Sequence, residues 1–242
     1  MNRVNLELLD KQSSVLDEKQ EYLKQYGLDE ESIREFRSKI KKVSVEEADR
    51  LGEKVWNTIY YYDWHGNYGD DIKEDEEVYS EILPYIIAGA NINYISKSGI
   101  PLLFSCPYFF KSSTLLIKAG ADINSKDIYG NTFIILLVNS SNKTFELLKI
   151  ILLLGVNKEE QQRALIFAKS LEKLNRDEEK YIKLLEDAIQ GKDIFSSCEK
   201  DKQSIENENR KLKEQTPEEL LQEAEDRLNK VLGNTLTRKR SR

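Results

Sequence analysis

The sequence predicts an all-α fold, a short α-solenoid of stacked helix pairs with helical N- and C-terminal flanks. Three observations predict it. A corner of the form Gly-Ala-Asp/Asn-Ile-Asn follows an apolar helical run and then recurs. A new helix opens in phase beyond each corner. On both sides of the recurring part, apolar residues return at helical spacing.

Composition sets the outer bounds. The 242 residues carry 37 Lys+Arg against 43 Asp+Glu, a net charge of −6, and 39% are hydrophobic. That length holds one or two domains with a real core. The acidic balance argues against general nucleic-acid binding, which needs a basic field to neutralise phosphates. No run of 18 apolar residues is present, so integral membrane association is not expected. Met1–Glu7 lacks an apolar stretch behind a basic cap, so no secretory leader is expected. Cys106 and Cys198 are too few for a metal cluster and suggest a reducing compartment.

The elements follow in order. Residues 6–26 carry Leu9, Leu16 and Leu23 beside Leu8, Val15 and Tyr22, a seven-residue stripe on one helix face. It suits either a face packed on the core or a short coiled coil. Residues 29–43, with Ile33, Phe36 and Ile40, form a second helix, and the pair makes an N-terminal hairpin or cap over 1–44. Residues 45–61 and 74–88 are the next two helices, with a long loop from Tyr62 to Asp71 between them.

The first corner is Ile87-Ala88-Gly89-Ala90-Asn91-Ile92-Asn93 and the second Ile117-Lys118-Ala119-Gly120-Ala121-Asp122-Ile123-Asn124. Their glycines are 31 residues apart, and Gly155 of a weaker third copy lies 35 further on. Glycine after an apolar run stops a helix, because it takes the left-handed conformation without a Cβ clash. The following Asp/Asn-Ile-Asn suits a tight turn with its Ile inward. Helices then open at Gly99-Ile100-Pro101-Leu102 and Gly130-Asn131-Thr132-Phe133. Proline fits a first helical position, and Thr132 fits an N-cap whose hydroxyl takes an orphan N–H.

These residues resemble the ankyrin repeat, whose pattern runs D-x-x-G-x-T-P-L-H, a helix, a turn, a second helix, then G-A-D-x-N. Asp127, Gly130 and Thr132 match in one unit, closed by Gly155. Gly99, Pro101 and Leu102 match in the unit before, closed by Gly120-Ala121-Asp122-Ile123-Asn124. Gly89–Asn93 closes an earlier, divergent unit. Ile100 holds the Thr place in one unit, and Phe133 and Ile135 hold the Pro and His places in the other. Against a period of about 33, the middle unit is about two residues short and the next about two long. The resemblance covers roughly residues 45–190, with clear motifs only from 85 to 157.

Beyond Gly155, residues 159–173 and 177–189 form another helix pair. Ala164, Leu165, Ala168 and Leu171, then Tyr181, Ile182, Leu185 and Ile189, make their apolar faces. Residues 192–216 are a polar linker. Residues 217–232 form an amphipathic helix, followed by the basic tail Arg238-Lys239-Arg240-Ser241-Arg242. That tail suits a nuclear-import patch, an anionic-lipid contact, a secretion signal or a solvated end.

Little in the chain points to catalysis. His65 is the only histidine, and Asp63 is its one nearby acid. Residues 63–74 place Asp63, Asn67, Asp71 and Glu74 at calcium-loop positions. His65 at the third place and Tyr68 at the glycine place argue against it. Gly66 and Gly69 follow no strand and precede no Lys-Ser or Lys-Thr, so they do not form a phosphate loop. Cys106 reads as a small buried hydrophobe. No enzyme activity, metal or cofactor is expected.

What remains is binding. The resemblance implies a concave face of turn tips and first helices. Carried over residue by residue, its partner-binding positions are Tyr94, Ser96 and Lys97, then Ser125, Lys126, Asp127, Ile128 and Tyr129, with Tyr94, Ile128 and Tyr129 as anchors. Tyr62 and Trp64 join this set from the cluster Tyr60, Tyr61, Tyr62, Trp64 and Tyr68. Aromatics with polar tips favour interfaces, though Tyr60 and Tyr61 equally suit the closing of a helix over the core. The expected function is capture of an unidentified protein partner, without nucleic acid. The alternative is a helical oligomerisation or structural scaffold, with homo-oligomers not favoured. Lys exceeds Arg, and Ile and Asn are frequent, as in AT-rich genomes. Degenerate ankyrin stacks with polar tails are similar to proteins of intracellular bacteria. Their implied setting is the cytoplasm, or a host cell reached as an effector without a classical signal. Glu218, Glu219, Glu223 and Glu225 are similar to acidic patches of some secretion signals, whereas the basic last residues do not fit them.

Overall fold

Every regular element among the described residues is helical. The computed structural model describes residues 17–65, 71–140, 144–171, 176–192 and 194. All belong to one unit, Met1–Ile194; the second unit, Phe195–Arg242, lies outside the described residues, and with it the expected linker, amphipathic helix and basic tail. Residues 1–16, the start of the N-terminal stripe, also lie outside them. The helices are α1 (17–25), α2 (Glu30–Ser38), α3 (Val45–His65), α4 (Asp71–Ile87), α5 (Phe110–Ala119), α6 (Phe133–Asn139), α7 (Phe145–Leu154), α8 (Lys158–Ser170) and α9 (Arg176–Ile189), with one 3-10 turn at Leu102–Ser105. Among the described residues none is long and apolar enough to cross a membrane.

Helices adjacent in sequence pack together: α3 on α4, α6 on α7, α8 on α9. Further contacts join α4 to α5 and α6 to α8, and the 3-10 turn touches both α3 and α6. The core is aliphatic. Val55 and Ile59 of α3, Val78, Ile82 and Ile86 of α4, Leu116 of α5, Phe133 and Leu137 of α6, Leu148 and Ile151 of α7 and Leu185 of α9 are fully buried. Each such side chain contributes about 1.5–3 kcal/mol by leaving water.

The corners form as their glycines require. Gly120 ends α5 at φ 116°, and the Gly120 and Ala121 N–H groups close back on the Leu116 carbonyl at 3.1 and 2.9 Å. Consecutive corners are joined by asparagine. Asn93 Nδ2 donates to Gly120 O (3.3 Å), while Asn93 Oδ1 accepts from Asp122 N (2.8 Å). One corner on, Asn124 Oδ1 accepts from Asn157 N at 3.2 Å.

Four local expectations need correction. First, α3 runs through Tyr62 to His65 and α4 begins at Asp71, so both ends of the expected loop are helical; residues 66–70 lie outside the described residues. Second, the helix expected after Pro101 is a single 3-10 turn. Pro107 lacks the N–H that a continuing helix needs and pushes Cys106 off helical geometry, to φ −128° and ψ 42°. Third, Thr132 sits at the N-cap of α6 but its hydroxyl makes no cap; it donates to Glu160 Oε2 at 3.1 Å. Fourth, α2 stops at Ser38, well before Val43. The N-terminal helices meet the rest of the unit through α5 and α7: α2 packs on α5, and α1 reaches α7.

That last contact is specific. Tyr22 and Tyr26 both donate their hydroxyls to the Glu146 carboxylate on α7, Tyr26 at 2.8 Å. The Lys149 ammonium lies over the Tyr22 ring, 4.2 Å from its centre. Burial first, and then the Glu146 carboxylate, raise both phenols, Tyr26 to about 12. Leu23 and Leu28 are buried beside them.

A sequence-distant cap starts α5. Asp75 on α4 is buried, and its carboxylate accepts from Lys111 N (2.7 Å), Ser112 N (3.1 Å) and Ser112 Oγ (2.9 Å). Asp75→Ala removes the cap and strands the buried Ser112 hydroxyl, so it should cost about 2–3 kcal/mol. Urea unfolding followed by helical circular dichroism measures that loss.

Candidate partner-binding face

The two turn tips are built alike. In the first, Ser96 N donates to Ile100 O (2.9 Å) and Gly99 N to Ser96 O (2.8 Å). In the second, Asp127 N donates to Asn131 O and Gly130 N to Asp127 O, both at 3.0 Å. Isolated antiparallel bridges, Ile95 with Pro101 and Lys126 with Thr132, close the two loops. Corresponding positions of the two bridges are 31 residues apart, the spacing of the first two corner glycines.

Several expected site residues serve the turns themselves. Ser96 is buried; its hydroxyl accepts from Ile100 N (3.2 Å) and lies 2.9 Å from Ser98 Oγ. The Asp127 carboxylate accepts from Tyr129 N and Asn131 N, both at 2.8 Å, and from Asn131 Nδ2 at 3.2 Å. Ser125 Oγ donates to Asp122 O at 2.8 Å. Tyr94 is half-buried and lies against Gly52 of α3, where an added Cβ would come within 2.9 Å of the tyrosine Cβ.

Others face solvent. Ile128 is 63% exposed and Tyr129 79%. Lys97 is exposed and pairs with Glu53 of α3 at 3.2 Å. Lys126 reaches the buried Glu160 of α8 at 2.7 Å. Tyr62 lies on α3, half-buried, and donates to Glu81 Oε1 on α4 at 2.7 Å. That hydrogen bond, more than burial, raises its phenol to about 12. Trp64 falls in α3, but its side chain lies outside the described residues, as do those of residues 63 and 65–74, which carry the calcium-loop pattern. Elsewhere no described group of His, Cys, Asp or Glu could hold a metal ion. Cys106 is buried, with Ser113 Oγ donating to its sulfur at 3.3 Å.

The two tips lie side by side. A Cβ added at Gly99 would fall 1.9 Å from Ile128 Cγ2, so the second tip rests its isoleucine on the first tip's glycine. Sequence reasoning missed Ile95, 58% exposed at the base of the first tip, and Ile166, 70% exposed on α8. Ile166 stands one turn beyond Arg163, which donates to Gly130 O at 3.1 Å, so it lies on the tip side of α8. Helical spacing marked Ala164, Leu165 and Ala168, the two alanines on the opposite, buried face, and left Ile166 and Phe167 between them unassigned.

Glu160 organises the far side of the second tip. It takes Lys126, Thr132 Oγ1 and Arg163 Nη1, the last at 2.9 Å. Burial pushes this carboxyl upward, but the three donors outweigh it and hold it below the usual carboxylate range. No family model matches the chain, and no curated protein matches it.

Two tests follow from this geometry. Gly99 (φ 74°) and Gly130 (φ 76°) share one left-handed conformation, but nothing lies within 4 Å of a Cβ at Gly130. Alanine at either position should cost about 1–2 kcal/mol of backbone strain, with a further loss at Gly99, where the new Cβ collides with Ile128. Only Gly99→Ala should move the Ile128 methyl resonances in an NMR spectrum. For Glu160, a depressed carboxyl adds stability above its unfolded pKa and loses it as pH falls. Glu160→Gln should therefore be about 1–3 kcal/mol less stable than wild type at pH 7. In urea melts from pH 7 to pH 3 the gap should close below about pH 4.5 as the carboxylate protonates.

Proposed function

We propose that this chain is a divergent ankyrin-like stack that captures a protein partner through its turn tips. The observation that carries the reading is the placement of Ile128 and Tyr129, largely exposed on a tip that rests directly on its neighbour. Support for the stack comes from the asparagine links between consecutive corners, at Asn93 and Asn124. In such a row each layer buries its apolar face only against its neighbours. Large side chains held out by rigid turns lose little entropy on binding, which is how a few residues come to dominate an interface. The contact set is Ile95, Lys97, Ile128, Tyr129 and Ile166. Tyr94, Ser96 and Asp127 hold the tips in shape behind it.

The reading gives the chain no catalytic step and places it in a cytoplasm, its own or, for an effector, that of a host cell. A reducing compartment suits the buried Cys106 thiol. The alternative, oligomerisation through the N-terminal stripe, is weakened by Tyr22 and Leu23, which are already buried within this chain.

The triple variant Ile95→Ala, Ile128→Ala, Tyr129→Ala should lower partner recovery in a lysate pull-down at least about tenfold, the worth of one hot-spot residue. Its thermal unfolding should stay close to that of wild type, because all three side chains are mostly exposed. Normal recovery by a folded triple variant would exclude this face.

A further inference from the structure

A second surface lies where the N-terminal helices meet the stack, away from the turn tips. A groove of about 540 Å³ opens between α1–α2 on one side and α4 on the other, with α5 as its floor. Its aromatic lining is Tyr26, Phe36, Tyr79 and Phe110, none of them fully buried. Tyr26 and Phe110 meet edge to face, 5.3 Å between ring centres. Single exposed apolar residues are ordinary, but four part-exposed rings converging on one groove are not.

The floor has a defined length. The α5 residues that line it, from Phe110 and Lys111 through Thr114 and Leu115 to Lys118, recur every four positions along one helix face. At 1.5 Å per residue they span about 12 Å. An extended chain covers that distance in about four residues.

The groove also has a charge. Lys111 is neutralised by Glu76, to which it donates a hydrogen bond. Lys118 has no ion-pair partner within 4 Å among the described residues; its ammonium lies over the Phe36 ring, 5.5 Å from the centre. The lining therefore carries one surplus positive charge, on a chain whose net charge is −6.

We infer that this groove binds a short extended segment of a partner protein carrying an aromatic side chain flanked by carboxylates. The aromatic ring enters among Tyr26, Phe36, Tyr79 and Phe110, with buried Leu115 beneath. A flanking carboxylate pairs with Lys118. Tyr26 is also held by Glu146, so the docked N-terminal helices complete one wall of the site.

The test uses the full chain and fluorescence anisotropy with two labelled pentapeptides. One has phenylalanine between paired glutamates, the other phenylalanine between paired lysines. The acidic peptide should bind saturably, at least about tenfold tighter than the basic one, and weaken as salt is raised. Lys118→Glu should cost about tenfold or more, and Lys118→Met, which keeps the stem, should lose most of the preference for the acidic peptide. Both variants should keep the wild-type helical spectrum, since Lys118 is only half-buried. The tip variant Ile95→Ala, Ile128→Ala, Tyr129→Ala should bind the acidic peptide as wild type does. Equal binding of both peptides, no saturation by the acidic one, wild-type affinity in Lys118→Met, or loss of binding in the tip variant would each overturn the assignment.

Discussion

The arrangement depends on how one corner satisfies the next. A left-handed glycine turns the chain back sharply and leaves backbone donors and acceptors pointing out of the turn. Such groups take partners either from water or from the neighbouring corner, and here the neighbouring corner supplies them. Asn93 supplies both kinds from one side chain, its NH₂ to the Gly120 carbonyl and its oxygen to the Asp122 N–H. Aspartate would lack the donor and serine the reach. Asn124 repeats the contact toward Asn157. Spacing between corners is thereby set by the length of one amide side chain, and the helices before and after each corner inherit that spacing.

What could be read from the sequence is what local chemistry decides. Gly89, Gly120 and Gly155 stop helices because the left-handed conformation belongs to glycine, whatever lies nearby in space. The helices at 158–170 and 176–189 follow from apolar spacing alone. Pro107 could have been read too: it stands six residues after Pro101 and leaves no room for a full helix between them. The error of extending that helix came from following the repeat rather than the residue. Placing Tyr62 and Trp64 in a loop failed for the opposite reason, since α3 runs on to His65. Polar neighbours suggested a loop, while Tyr62 gains a partner only from Glu81 on the following helix.

What could not be read is what depends on partners far along the chain. Asp75 looks like any acid in the first turns of a helix, yet it caps another helix 36 residues away. Glu160 is indistinguishable in sequence from Glu159 beside it. It is buried against Thr132, 28 residues earlier, accepts a hydrogen bond from its hydroxyl, and is paired there with Lys126 and Arg163. Glu146 is similar, since nothing local marks it as the acceptor for two tyrosines more than a hundred residues away. The candidate site divides the same way. Ile128 and Tyr129 stand out within one short turn, whereas Tyr26, Phe36, Tyr79 and Phe110 come from four separate segments and converge only after folding.

The shortened turn at Leu102–Ser105 has a mechanical consequence. Where α3 and α6 would each meet a full helix, they meet four residues with no i to i+4 ladder. The space is filled by rings, with Phe104 tilted against Phe133 at 5.7 Å between centres. What joins α3 to α6 through this turn is therefore packed side chains and not the backbone of a helix. A change of ring size at Phe104 would accordingly be felt by both helices at once, since a close-packed interior has no slack to absorb it.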